Sequence, residues 1–261
     1  MWRLLNYRSV IAVMGKDRHS FLEGLITQAV PTINDGPRYG LMLTAKGRFM
    51  WDFFLVPQED AILLTPAHKD VAGFIKKLSM YRLQSDVTVT HLEDYGVAVS
   101  LEKPDADFAG TIFTDPRHPE LGFVCVGPKN QIEATEDRVP YEAQRFLLNV
   151  PEGPLDLEQE KTIPLEAQMD RLNAISWMKG CYLGQELTAR TKHTGVVRKN
   201  LYSFRAEGPV EVGQDVLVCG EKVGTIKSIY KDGTKGFLLL KDMRPSGGFF
   251  VGETQLSIQI P

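Results

Sequence analysis

The change of texture at Asn200 constrains this chain more than any other feature. Beyond that residue the sequence breaks into short apolar runs divided by glycines, at Gly213, Gly220, Gly224, Gly233 and Gly236. Such spacing reads as short strands joined by tight turns. Asp232-Gly233 stands where a hairpin turn belongs, because glycine reaches positive φ without steric cost. The expectation from Asn200 onward is a small β-barrel or sandwich.

Before Asn200 the periodicities are mixed. Residues 10–13 read as a strand, followed by a helix with Asp17 as its N-cap and Phe21, Leu22, Leu25 and Ile26 at helical spacing. Residues 39–44 form a strand that ends on the tight connection Lys46-Gly47. Residues 49–56 and 61–64 are two strands joined by a polar turn, and Val71, Phe74, Ile75 and Leu78 mark one face of an amphipathic helix. Further strands are expected at 87–90, 96–100 and 121–126. Tyr141, Phe146, Leu147 and Leu148 give a helical pattern that Pro151 and Pro154 break. Strands and helices mixed in this way predict an α+β fold, with helices on one face of an antiparallel sheet.

With 261 residues, two or three domains are possible, and 43% hydrophobic with 24% charged residues is the composition of a globular protein. The net charge of −3 lacks the basic excess of a general nucleic-acid binder. Apolar runs such as 51–56 are too short to cross a bilayer. The start of the chain reads straight into strand-like sequence, with no secretory h-region and no Arg/Ser-rich leader. Cys125, Cys181 and Cys219 are a sparse, odd set that fits a reducing compartment. The expectation is the bacterial cytoplasm, or the mitochondrial matrix for a processed eukaryotic chain. The histidines show no pair at metal spacing, and no phosphate-binding glycine loop is present.

The residues that carry chemistry are Lys179-Gly180-Cys181-Tyr182-Leu183-Gly184-Gln185-Glu186. A thiol between two glycines, just before a helix and near a lysine, is placed for reactivity rather than packing. Glu186 and Arg190 lie one turn apart on that helix and are spaced to pair. Lys179 and Arg190 are candidate counter-charges for an anionic ligand, Gln185 offers an amide edge, and Tyr182 a flat ring. Cys125 and Cys219 lie in apolar runs and read as core.

This motif resembles the signature of the YgfZ family of folate-binding, iron–sulfur cluster assembly proteins. Gly15-Lys16-Asp17 with Phe21-Leu22-Glu23-Gly24-Leu25 resembles that family's first helix. Leu43-Thr44-Ala45-Lys46-Gly47-Arg48 and Tyr81-Arg82-Leu83-Gln84-Ser85-Asp86-Val87 extend the resemblance, as do Pro164, Ile175 and Ser176. The family is in turn similar to the aminomethyltransferase of the glycine cleavage system.

The resemblance implies three domains around a central cavity that holds tetrahydrofolate or a derivative. These would be a discontinuous folate-binding domain (1–47 and 127–199), a ferredoxin-like inserted domain (48–126) and a C-terminal β-barrel (200–261). It further implies a role in assembly or repair of [4Fe–4S] proteins, with Cys181 as the reactive thiol. Lys179, Tyr182, Gln185, Glu186, Arg190 and Arg48 would be cofactor-binding residues. Iron–sulfur assembly or client proteins would be the partners, with no nucleic acid, no membrane and no resident metal. Cys181 would serve at most as a transient cluster ligand, since one thiolate does not hold a cluster alone. The alternative is a folate-dependent one-carbon transferase. Against it, Leu147 stands where the transferase pattern has a glutamate two places after the arginine, here Arg145. Separately, Thr194-Gly195 stands where many family members have Arg-Gly, which removes one possible cation from the pocket rim.

Overall fold

A computed structural model of the protein describes residues 1–103, 110–195, 197–241 and 247–259. In chain order its first elements are β1 (Trp2–Leu4), β2 (Ile11–Met14), α1 (Arg18–Glu23), β3 (Arg38–Leu43), β4 (Phe49–Pro57) and β5 (Ala61–Leu64). Then come α2 (Val71–Arg82), β6 (Thr88–His91), β7 (Tyr95–Ser100), β8 (Thr111–Thr114), β9 (Phe123–Pro128) and β10 (Ala134–Thr135). Helices α3 (Val139–Leu147), α4 (Gly153–Asp156) and α5 (Gln185–Thr194) follow. The last strands are β11 (Lys199–Ala206), β12 (Asp215–Val218), β13 (Glu221–Ile229), β14 (Lys235–Lys241), β15 (Phe249–Val251) and β16 (Thr254–Gln259).

The strands sort into two sheets and a barrel. One antiparallel sheet has the order β3-β4-β5-β2-β6, and the second the order β10-β1-β7-β9-β8. β4 shows how the first sheet acquires two buried faces. Side chains alternate along a strand, so Trp51, Phe53 and Leu55 turn one way and Asp52, Phe54 and Val56 the other. The first group packs with Phe21, Leu22 and Leu25 around α1 and with Phe74 and Leu78 of α2. Phe54 and Val56 enter a central core that also takes Val97, Val99, Val124 and Val126 of the second sheet. Asp52, 1% exposed, is thereby carried into the middle of the molecule.

The C-terminal strands close into a barrel of order β11-β14-β13-β12-β15-β16, filled by Phe204, Val216, Val218, Ile226, Leu238 and Leu240. It docks on the body through Leu201, whose N–H donates to Glu166 O (2.7 Å), and through Ser203 Oγ, which donates to Phe146 O (2.6 Å). The Phe146 ring also meets Phe237 at 5.3 Å between centroids. Gly233 has φ 71° and its N–H donates to Tyr230 O, so the turn expected at Asp232-Gly233 is present.

Two local expectations are corrected. Cys219 is exposed rather than core. With Gly220 it makes the two-residue turn between β12 and β13, both at positive φ (50° and 81°), as a type I′ turn requires. Asp17 stands at the start of α1 without capping it. Its Oδ2 instead accepts the Asp86 N–H (2.7 Å), tying the helix to the approach to β6. Two of the three boundary positions expected between domains fall within strand pairings. Position 47 falls within the β3–β4 hairpin, and position 126 lies inside β9.

Candidate functional site

Residues 173–183 form an irregular strap that leads into α5. Gly184, at φ 80°, turns the strap into the helix. A Cβ there would stand 2.3 Å from Thr44 O and 3.0 Å from Leu43 Cβ. Gly47, at φ 70°, faces it, with Gly184 O and Leu187 Cβ each 2.8 Å from its would-be Cβ. The Lys46-Gly47 turn and the motif glycine therefore interlock without side chains between them. Gly180 differs, since its φ is not positive and nothing lies within 4 Å of its would-be Cβ.

The strap presents Cys181 to solvent, beside Met178 (95% exposed) and Trp177. Lys179 points the other way. Its Nζ donates to the carbonyls of Glu23 (2.8 Å), Ile26 (2.8 Å) and Gln28 (3.1 Å) and lies 3.3 Å from Glu23 Oε1. Those contacts use all three ammonium protons, so its charge faces the 23–28 turn. Burial lowers its pKa, and Glu23 opposes that shift.

The other expected site residues are dispersed. Tyr182 is buried in the central core and its hydroxyl is pushed up to about 12 by burial. Gln185 folds back, its Oε1 accepting the Tyr182 N–H (3.3 Å). Glu186 and Arg190 are both exposed, and among the described residues no ion pair joins them. Arg48 donates from Nη1 to Lys161 O (3.0 Å). Among the described residues no group of three or more His, Cys, Asp or Glu is arranged to hold a metal ion.

Sequence reasoning missed the buried charge network behind β4. Asp52 Oδ2 accepts from Arg8 Nη2 (2.7 Å), Tyr39 OH (2.6 Å) and the Gly153 N–H (3.1 Å). Arg117 donates to Asp115 and to Glu152 Oε1 (2.7 Å), and Tyr141 OH donates to the same Glu152 oxygen. Arg145 joins Glu142 and Asp156 (2.6 Å each), and Ser228 of the barrel donates to Asp156 Oδ1 (2.6 Å). Burial alone would raise the Glu152 carboxyl, but Arg8, Arg117 and Arg145 overcome it and hold the group well below the usual carboxylate range. Glu142 goes up instead, through burial and despite Arg145. One signal was present in the sequence: Asp52 interrupts an otherwise apolar and aromatic strand, which a buried charge does only when partnered.

A cleft of about 300 Å³ opens between β4, residues 153–161 and Lys227 of β13. Phe49, Trp51 and Leu157 supply its apolar lining, Asp52 and Asp156 line its polar side, and Lys69, Lys161 and Lys227 stand around it. A narrower cleft of about 90 Å³ shares Asp156, Leu157, Glu158, Lys161 and Lys227 and runs toward Glu166 and Leu201. Neither cleft is lined by Cys181 or by any other motif residue. Leu147, 57% exposed, lines neither.

Two sheets with a docked six-stranded barrel define an α+β protein with the architecture of the glycine cleavage aminomethyltransferases. The T-protein of Bartonella henselae superposes with a TM-score of 0.73 over 99% of this chain and 84% of that one, at 13% identity. By sequence the chain belongs to the family of IBA57 iron–sulfur cluster assembly factors. The human mitochondrial factor is 30% identical over 90% of this chain and 76% of its own length. The mitochondrial homolog of Pyricularia oryzae is 32% identical over 89% of the chain. The chain spans 52% to 66% of the length of four fungal relatives. No protein-family model matches it.

Proposed function

We propose that the chain supports the assembly or repair of iron–sulfur proteins, with Cys181 as an outward-facing thiol that engages a cluster held by a partner. The observation that carries this reading is the placement of Cys181: exposed on the strap and outside both clefts. A thiol in a cleft would serve a small ligand, whereas an exposed one is open to a macromolecule. A cluster takes four ligands as a rule, and Cys125 is fully buried. In this reading Cys181 supplies one thiolate while the remaining ligands stay with the partner. Relatives whose names carry the word mitochondrial favour the matrix over the bacterial cytoplasm for this chain. The test is complementation of a strain lacking the gene with Cys181→Ser. Enzymes that depend on [4Fe–4S] clusters should stay inactive, and full restoration would remove the thiol from the mechanism.

The same reading assigns a reduced folate to the cleft beside β4. Its chemistry suits that ligand. Lys69, Lys161 and Lys227 give it a positive rim that suits the carboxylates of a glutamate tail, with Lys161 and Lys227 sharing Glu158 (3.0 Å each). Asp156 Oδ1 accepts one hydrogen bond within the protein, from Ser228, and so keeps acceptor capacity for a pterin N–H edge. Titration of the full chain with tetrahydrofolate checks this. Lys227→Glu should weaken binding by about ten-fold, the loss of roughly 1.4 kcal/mol. Absence of any binding by the unaltered chain would refute the folate assignment and leave the role of Cys181 untouched.

A further inference from the structure

Lys179 is built into the molecule in a way that neither thiol activation nor ligand binding accounts for. Its side chain is 1% exposed. An ammonium is costly to bury unless its protons are received, and here three carbonyls of one turn converge on it. That turn, residues 23–28, is stitched to the strap on both sides of Lys179. Thr27 Oγ1 donates to Ala174 O (2.6 Å), Gln28 Nε2 to Asn173 O (2.7 Å), and the Ser176 N–H to Thr27 O (2.9 Å). Beyond Lys179 the Leu183 N–H donates to Gly24 O (3.0 Å). Between the Ser176 and Leu183 bonds lie Trp177, Met178, Gly180 and Cys181, none of whose backbone N–H groups is tied in this way. Lys179 is the anchor in the middle of that outward bow.

We propose that Lys179 is a positioning residue, whose ammonium pins the strap to the 23–28 turn and thereby fixes the direction in which Cys181 faces. The proposal rests on the reading of Cys181 as the working thiol. It assigns the lysine of the motif to geometry, with its charge directed at Glu23 and the turn carbonyls and away from the thiol. Without the ammonium those carbonyls lose their common donor and the bow is held by its ends alone. A partner that must meet the sulfur in a fixed orientation would then meet a mobile one. Arginine does not replace it, because a planar fork cannot offer three protons from one nitrogen to converging acceptors.

The test compares Lys179→Met and Lys179→Arg in the full chain by amide hydrogen exchange, iodoacetamide alkylation of Cys181 and rescue of [4Fe–4S] enzymes. In both variants the Ser176 and Leu183 amides should exchange about ten-fold faster or more, with the Phe54 amide of β4 unchanged. Alkylation of Cys181 by this small reagent should stay within about three-fold of the unaltered chain, since the thiol remains present and exposed. Rescue should fall to the level of Cys181→Ser. The proposal is overturned if the strap amides keep their protection, or if Phe54 exchange rises equally, which would mark a general structural role. It is also overturned if alkylation drops about ten-fold in Lys179→Met and returns in Lys179→Arg, which would mark a charge acting on the thiol. Full rescue by Lys179→Met beside failure of Cys181→Ser removes this proposal alone. Full rescue by Cys181→Ser removes the reading beneath it.

Discussion

Alanine at Gly184 and alanine at Gly180 should have opposite effects on stability, although the two glycines flank the same cysteine. At Gly184 an L-residue must adopt φ 80°, which costs about 1–2 kcal/mol. The new Cβ would also stand 2.3 Å from Thr44 O and 3.1 Å from Gly47 Cα. Both are backbone atoms of a packed turn and have no rotamer by which to yield. Overpacking of that kind adds about 1–3 kcal/mol, so Gly184→Ala should lose roughly 2–5 kcal/mol in all. Gly180 has neither constraint, and its replacement only restricts the unfolded chain. Gly180→Ala should be neutral or stabilise by up to about 1 kcal/mol. Denaturant unfolding at a shared slope separates the two cases. Equal midpoints for both variants, or a Gly184→Ala loss below about 1 kcal/mol, would show that the strap does not sit against the 44–47 turn as described.

Three further outcomes follow from the buried groups. Asp52→Asn should destabilise by about 3–5 kcal/mol in thermal or denaturant unfolding, because it breaks a buried pair and leaves buried Arg8 only the more distant Glu152 (3.6 Å). Ser228→Ala should cost about 1–3 kcal/mol by leaving a buried Asp156 oxygen without its donor, read as earlier exchange of the barrel amides. Cys125, whose thiol burial pushes up to about 12 from 9.0, should resist alkylation in the native protein while Cys181 reacts. Because its folded pKa is raised, the folded state holds the proton longer than the unfolded one. Its contribution is therefore complete below pH 9.0 and is lost as pH climbs toward about 12, a decline that Cys125→Ala should flatten.

Much of the fold was legible because it depends on local properties. The near-continuous apolar and aromatic run from Phe49 to Val56 marks β4 from the sequence, and the structure buries both of its faces. The glycine-divided runs after Asn200 predict the barrel, since turns of positive φ are a property of two residues at a time. Cys219 was misread for a related reason. An apolar residue beside strand residues looks like core, and only the hairpin register shows that it occupies the turn.

The site was legible in its composition and illegible in its geometry. The sequence by itself determined which residues make up the motif, that a helix follows it, and which family the chain belongs to. It also determined that a charge at Asp52 inside an apolar strand must find partners. Which partners it finds was decided by tertiary structure, because Gly153 meets Asp52 across 101 residues and Lys179 meets Glu23 across 156. Periodicity and turn propensity act over a few neighbours, whereas the direction of a lysine or a thiol depends on which distant carbonyls are there to receive it. That is why the sequence put Lys179 beside Cys181 as a cation, and the fold turned one inward and the other out.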